Sequence, residues 1–194
     1  MRVSREVMAQ RHDEIISETS KMLRQRGIVG TSLADLMAAA GLTHGGFYKH
    51  FDSKDALVAE ATERIFAEFN ALFRERVESQ GAKAALIAYV TDYLTLGHIK
   101  KPEIGCPIAA FGPDVSREQG AIRGVFTNGI KKNLSLIMEG LSCPAAERKD
   151  KAVELLSLLS GAVAMARTTD DEKLSGEIIA SARKRANQII EARK

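Results

Sequence analysis

The sequence is poor in the residues that mark several classes of protein. Trp is absent, only two cysteines and four prolines occur among 194 residues, and aromatic residues make up 5% of the chain. The two cysteines, Cys106 and Cys143, are too few for a disulfide framework and lack the spacing of a metal-binding pair. No apolar run approaches the roughly 20 residues that a membrane-spanning helix needs. These absences exclude a disulfide-rich secreted domain and a helical membrane protein.

Motifs for catalysis are also missing. No nucleotide-binding, serine-hydrolase or zinc-protease motif occurs, and the four histidines are scattered. We therefore expect no enzymatic activity, no metal ion and no other cofactor. The basic N-terminus is not followed by the apolar core of a signal peptide, so the sequence predicts a cytoplasmic protein. The net charge of +3 is small, so a nucleic-acid-binding role would require positive charge concentrated in one place.

What the sequence does contain is helix-forming residues in helical periodicity. Hydrophobic residues make up 45% of the chain and charged residues 27%, with Ala, Leu, Ile, Glu, Lys and Arg prominent. We predict an all-α protein of about nine helices. The segment 100–113 is predicted to be irregular with one short helix, because it is rich in proline and glycine. The other helices are expected at about 6–26, 33–40, 44–50, 54–79, 83–98, 114–140, 145–167 and 171–192.

Two short predicted helices meet at a glycine between residues 31 and 50. Gly41 permits a tight turn because glycine takes a positive φ without steric cost. Ser32 and Thr43 stand where the N-caps of the two helices would lie. This arrangement is typical of a helix-turn-helix, whose second helix enters the major groove of DNA.

The outer face of the second short helix suits a DNA duplex. The N–H groups at a helix start attract phosphate, and hydroxyl and cationic side chains add hydrogen bonds and charge. Gly45 removes side-chain bulk where the helix would approach the groove. The side chains at the start of a recognition helix read base edges. The residues predicted to contact DNA are Ser32, Thr43, His44, Gly45, Tyr48, Lys49, His50 and Lys54.

These residues also resemble the DNA-binding domain of the TetR/AcrR family of repressors over about residues 10–60. Upstream, Ile15, Thr19, Met22, Leu23 and Gly27 resemble the family's first helix. Four positions differ from the commonest family residues but keep apolar or capping character: Met37, Thr43, Leu23 and Thr19. The positions that match the family pattern in register are Thr31, Ser32, Leu33, Asp35, Leu36, Ala40, Gly41, Leu42, Thr43, Gly45, Phe47, Tyr48, His50, Phe51, Ser53, Lys54, Asp55 and Leu57.

The resemblance implies a DNA-binding domain over 8–60, with the helix-turn-helix core at 31–50, and a helical ligand-sensing and dimerisation domain over 61–194. By resemblance, Tyr48 and Lys54 contact phosphates, whereas Thr43, His44 and Lys49 lie nearest the bases. His50 either contacts DNA or packs at a helix junction, and both readings stay open.

The resemblance further implies a homodimer through the last two helices, which would read an inverted-repeat operator. The penultimate helix is apolar over more than one stripe, so it must pack on two sides. A helix buried inside a monomer is the alternative. A helical interaction module that does not bind DNA, and an activator instead of a repressor, are further alternatives.

Repressors of this family usually release DNA when a small molecule enters the second domain, and the long fourth helix would carry the shift. A small hydrophobic effector is therefore expected, although a plain core would use the same residue types. The segment Gly105-Cys106-Pro107 resembles one found in some members, so Cys106 is either a redox or electrophile sensor, with Lys100 and Lys101 lowering its pKa, or a small buried residue. The candidate ligand-binding residues are Phe66, Phe69, Tyr89, Tyr93, Cys106, Phe111, Phe126 and Met165.

Overall fold

A computed structural model describes residues 5–191, apart from the side chain of His44. Within that range the chain forms ten α-helices and one short 3-10 helix, with no strand, which confirms the all-α prediction. The helices are α1 (Arg5–Arg26), α2 (Leu33–Ala39), α3 (His44–Phe47), α4 (Lys54–Gln80), α5 (Ala82–Tyr93), α6 (Leu96–Lys100), the 3-10 helix (Pro102–Ile104), α7 (Pro107–Val115), α8 (Ala121–Gly140), α9 (Ala145–Thr168) and α10 (Glu172–Glu191).

The first four helices begin and end where the sequence signals predict, to within a residue or two except at the end of α3. Ser32, Thr43 and Ser53 are N-caps whose hydroxyls accept hydrogen bonds from backbone N–H groups three residues later. Gly27 and Gly41 follow α1 and α2 with φ of 73° and 59°, a backbone conformation that glycine adopts without strain. Local capping chemistry thus sets these boundaries.

The middle of the chain differs from the prediction. The helix expected over 83–98 is divided, because the chain leaves the helix at Leu94 and Thr95 caps the separate α6. The irregular stretch expected up to residue 113 contains α7. Pro107 occupies the first turn of α7, where a missing N–H costs nothing. Phe111 has non-helical φ and ψ two residues before Pro113, so α7 is kinked there.

The helices bury two apolar clusters that share α4 and α8. One cluster lies among α5, the second half of α4, the later part of α8, and α9 with α10. The other lies beneath α1 to α3, but Phe111, Ile122 and Phe126 from α7 and α8 complete it. The N-terminal core is therefore closed by residues from far along the chain. The division of domains at residue 60 stays a prediction.

The close packing of α8 on α4 supplies a test of the fold. A Cβ at Gly129 would lie 2.3 Å from the Phe66 ring, whereas a Cβ at Gly124 on the same helix meets nothing within 4 Å. We expect Gly129→Ala to lower the free energy of unfolding by about 1–3 kcal/mol through overpacking. Gly124→Ala should raise it by about 1 kcal/mol through helix propensity. Urea unfolding measures both values, and equal effects would contradict the packing described.

Candidate nucleic-acid interface and regulatory cavity

The start of α2 is fixed by a reciprocal pair of hydrogen bonds. The Asp35 backbone N–H donates to the Ser32 hydroxyl at 3.1 Å, and the Ser32 backbone N–H donates to the Asp35 carboxylate at 2.9 Å. The Ser32 hydroxyl also contacts that carboxylate. These hydrogen bonds from Ser32 lower the pKa of Asp35. The exposed Ser32 hydroxyl is therefore engaged within its own helix start.

The turn between α2 and α3 is clamped by a residue that the sequence did not single out. Arg11 of α1 donates from Nη2 to the Ala40 carbonyl at 2.6 Å and lies 3.4 Å from the Gly41 carbonyl. These carbonyls end α2 and accept a charged donor, which is a strong kind of hydrogen bond. The contact joins residues 29 positions apart, so no local pattern predicts it.

The predicted recognition helix α3 is short, and its N-cap and inner side are well fixed. Thr43 accepts from the Gly46 N–H at 3.2 Å, and Phe47 is fully buried beneath the helix. Thr43, Gly45 and Lys49 are exposed, and Tyr48 is 51% exposed. These four predicted contact residues are therefore exposed in and beside α3, and the surface that they form is called here the α3 edge. The predicted base contact by the His44 side chain lies outside the described residues.

His50 lies at the junction between α3 and α4, against other rings. Its ring centroid is 5.8 Å from that of His12, and His12 in turn stacks on Phe51 at 4.5 Å. His12 Nε2 also contacts Glu60 Oε1 at 2.7 Å. Burial, followed by nearby cationic side chains, lowers the pKa of His50. This packing supports the structural reading of His50, and its contact with DNA stays a prediction.

The turn between α1 and α2 is held from two other helices. The Asp114 carboxylate of α7 accepts from the N–H groups of Ile28 at 2.8 Å and Val29 at 3.3 Å. The Lys54 ammonium of α4 donates to the Ile28 carbonyl at 3.2 Å. Lys54 therefore has a role inside the protein beside its predicted phosphate contact. Asp114, which sequence reasoning placed only at a helix start, joins the N-terminal helices to α7.

A cavity of about 270 Å³ lies between α1, α4, α5, α8 and the segment around residues 98–107. Five of the eight predicted ligand-binding residues line it: Phe66, Phe69, Tyr89, Tyr93 and Cys106. The structure does not bring the other three there. Phe111 and Phe126 pack edge-on in the N-terminal core with centroids 5.8 Å apart, and Met165 is 60% exposed on the outer surface of α9.

Polar residues that sequence reasoning missed also line this cavity. Arg24 of α1 and Asn133 of α8 each have a buried polar atom, Nε and Oδ1 respectively, with no hydrogen-bond partner among the described residues. Asn133 is only 2% exposed. Unpaired buried polar groups are rare in folded proteins and call for an explanation. No pattern in the sequence of α1 or α8 marks these two positions.

The cysteine in the cavity wall is held in place by a histidine. His98 Nε2 accepts from the Cys106 backbone N–H at 3.1 Å, and its Nδ1 lies 2.7 Å from the Tyr93 carbonyl. Burial raises the pKa of the Cys106 thiol. The expectation that Lys100 and Lys101 lower that pKa is wrong, because burial is the largest effect on the thiol and neither lysine acts on it; the Lys100 ammonium pairs with Glu172 at 2.7 Å. A cysteine of this kind carries little thiolate at neutral pH.

The outer surface of α9 and α10 exposes apolar side chains. Val153, Met165 and Leu174 are 44%, 60% and 44% exposed. The opposite side of α9 is buried in the chain's own core through Leu155, Leu159 and Val163. The penultimate helix is thus apolar toward the core and toward the surface, as the sequence predicted. We call this outward surface the α9–α10 face.

Comparison with known proteins identifies a family model and curated relatives that are similar to this chain. The family described as "Bacterial regulatory proteins, tetR family" matches residues 15–61. The repressor DhaR of Mycobacterium sp. (strain GP1) is 24% identical over 147 residues, which are 74% of this chain and 73% of DhaR. The repressor KstR2 of Rhodococcus jostii (strain RHA1) is 33% identical over 82 residues, which are 42% of this chain and 40% of KstR2. The chain thus matches less than half the length of KstR2.

Solved structures agree in fold along almost the whole chain. The reduced form of E. coli NemR superposes with a TM-score of 0.80 at 22% identity, covering 95% of this chain and 98% of NemR. A TetR-family regulator from Cytophaga hutchinsonii gives 0.75 at 22% identity and covers 100% of each chain. No helix within residues 5–191 is long and apolar enough to cross a membrane. Residues 15–61 therefore match the N-terminal domain of the tetR family of bacterial regulatory proteins, and the chain as a whole has the fold of TetR-family regulators.

Proposed function

We propose that the protein is a cytoplasmic transcriptional repressor that binds an inverted-repeat operator as a homodimer and releases it when a small hydrophobic effector binds. The observation that carries the proposal is the α3 edge. Its residues are exposed, whereas Phe47 of the same helix is buried in the core; the exposed residues are Thr43, Gly45, Tyr48 and Lys49. In this proposal residues 8–60 bind DNA, and residues 61–194 bind the effector and the second subunit.

The proposed contacts with DNA are of two kinds. Tyr48 and Lys54 bind phosphates, which position the protein without reading sequence. Thr43, His44 and Lys49 lie nearest the base edges and discriminate between sequences. Ser32 and His50 contribute at the margins, because each already has partners within the protein.

Binding to the DNA upstream of the protein's own gene tests this function. We expect affinity to fall steeply with salt, since neutralised phosphates release counterions. Tyr48→Phe should weaken binding to operator and unrelated DNA alike, whereas His44→Ala should change the preferred sequence. Fluorescence anisotropy with both DNAs measures this. Identical behaviour of the two variants contradicts the division of roles, and absence of binding at low salt contradicts the function.

Communication between cavity and DNA has two physical routes in this proposal. The helix α4 lines the cavity with Phe66 and Phe69 and begins beside α3. The helix α7 begins at Pro107 in the cavity wall and ends near Asp114, which binds the α1–α2 turn. An effector shifts the protein only if it binds the DNA-incompetent arrangement more tightly.

Replacing Asp114 tests the α7 route. We expect Asp114→Ala to lower the free energy of unfolding by about 1–3 kcal/mol, because two backbone N–H groups lose their acceptor. Operator affinity should fall about tenfold as the binding-competent arrangement becomes less populated. Arg117→Ala is the control, since it removes an exposed 3.6 Å ion pair to the same carboxylate and an exposed 3.3 Å hydrogen bond to the Pro113 carbonyl, but leaves the acceptor of the Ile28 and Val29 N–H groups in place. Equal values for the two variants in urea unfolding and anisotropy would refute the route.

Sensing of oxidants or electrophiles through Cys106 is the second candidate function, because its side chain lines the cavity. Burial raises the pKa of that thiol, so reversible ligand binding is favoured over thiolate chemistry. We expect peroxide to leave operator binding of the wild-type protein unchanged. Release by peroxide in the wild type, but not in Cys106→Ser, would establish the second function instead.

A further inference from the structure

We propose that the cavity takes a small amphipathic anion, whose acid group binds Arg24 and whose apolar body lies among the cavity's aromatic rings. The proposal rests on the effector role proposed above and names the chemical class of the effector. It also assigns to α1, a helix of the predicted DNA-binding domain, a direct contact with the ligand.

The first observation behind the proposed acid-binding site is the position of Arg24. It stands in the last turn of α1, and its side chain forms part of the cavity lining. Its Nε is buried without a hydrogen-bond partner among residues 5–191. A guanidinium presents donors in a planar fork that matches a carboxylate. An unpaired, partly desolvated guanidinium in a cavity wall is therefore a ready site for an acid.

The other charged groups of the lining are already engaged. Glu68 pairs with Arg64 at 3.0 Å, and Asp92 pairs with Arg76 at 2.7 Å. Glu68 and Glu103 also act on Arg24 through charge, and they partly offset the burial that lowers the pKa of its guanidinium. Within the described lining, Arg24 is the charged residue that has no ion-pair partner and whose Nε donates no hydrogen bond.

The remaining lining defines the body of the ligand. Phe69 and Tyr89 have ring centroids 4.8 Å apart, and Phe73 and Tyr93 extend the same aromatic wall. The volume of about 270 Å³ lies near the lower end of ligand cavities, which span roughly 300–1,000 Å³, so the ligand is small. The unpaired amide of Asn133 offers one hydrogen bond to a polar group on that body.

The rim of the cavity explains why such a ligand would act on DNA binding. Leu72 and Ile104 line the cavity and are 50% and 69% exposed, so they mark its opening. The helix α1 packs against the 3-10 helix at this rim. An acid that binds Arg24 would thus shift α1. The same helix holds the α2–α3 turn through Arg11, so the position of that turn would change as well.

Paired acid and amide probes test the proposal with the full chain. Benzoate, naphthoate and octanoate are each compared with their own primary amide by isothermal titration calorimetry. We expect at least one acid to bind about tenfold or more tightly than its amide, the scale of a hydrogen-bonded charge. Arg24→Met should abolish that preference, because the acid loses more affinity than the neutral amide, and Arg24→Lys should keep part of it. Arg26→Met, in the same turn but exposed and outside the lining, should behave as wild type.

The outcomes separate this inference from the proposed function. Equal binding of acids and amides, no binding of any acid, or a preference that survives Arg24→Met overturns the anionic class. If amides bind as well as acids and release operator DNA, the effector function stands and only the class falls. If acids bind through Arg24 without releasing operator DNA in an anisotropy assay, the anion site stands and its effector role falls.

Discussion

Gly45→Leu is expected to abolish operator binding while leaving the protein folded. A Cβ at Gly45 meets nothing within 4 Å in the free protein, so a larger side chain projects outward from the α3 edge. In the complex that side chain would stand between α3 and the groove and hold the base-reading residues away. We expect affinity to fall at least about 100-fold, equivalent to about 2.7 kcal/mol. Anisotropy with the operator measures the loss.

A matched glycine controls for the effect of the substitution itself. Gly124 lies in α8, is exposed, and likewise leaves open space around a Cβ. Gly124→Leu should therefore bind operator as the wild type does. Both variants should be as stable as the wild type or up to about 1 kcal/mol more stable, because glycine is a poor helix former. Operator binding by Gly45→Leu at wild-type affinity would mean that α3 does not enter the groove.

Met165→Lys is expected to convert the proposed dimer into a folded monomer. Met165 is 60% exposed on the α9–α10 face, so the substitution costs little within one chain. A two-fold interface contains each residue twice, so the dimer would bury two unpaired ammonium groups. We expect the dimer dissociation constant to rise at least about 100-fold, or about 2.7 kcal/mol. Operator affinity should fall with it, because a monomer reaches only one half-site.

Sedimentation velocity and anisotropy on the same samples test this expectation. Ile87→Lys is the control, because Ile87 is a comparably exposed apolar residue at 39% but lies on α5, outside the α9–α10 face. It should leave the dimer and operator binding intact. If Met165→Lys stays dimeric, the α9–α10 face is not the interface. If both variants dissociate, added charge on any surface is sufficient and the assignment to this face fails.

The N-terminal helices were predictable because their determinants are local. Ser32, Thr43 and Ser53 cap helices through hydrogen bonds that span three residues. Gly27 and Gly41 end helices through their own φ. The middle of the chain was less predictable, because a proline can either begin a helix or interrupt one, depending on its position. Pro107 begins a helix, whereas the chain around Pro113 is kinked, and only the packed structure distinguishes the two.

The candidate cavity was predictable only in part, for a related reason. Their apolar and aromatic type identified Phe66, Phe69 and Tyr89, but the same criterion also selected Phe111 and Phe126, which pack in the N-terminal core. Period and residue type say that a side chain is turned inward. They do not say whether it meets another side chain or an empty space.

By itself the sequence determined the helices of residues 5–80, apart from the end of α3, since capping and turn signals act among near neighbours. Only the tertiary structure decided which distant groups meet. Asp114 at the α1–α2 turn, Arg11 at the α2–α3 turn and Arg24 in the cavity all depend on how whole helices pack. A contact between residues far apart in the chain leaves no periodicity, because its geometry is set by the helices between them.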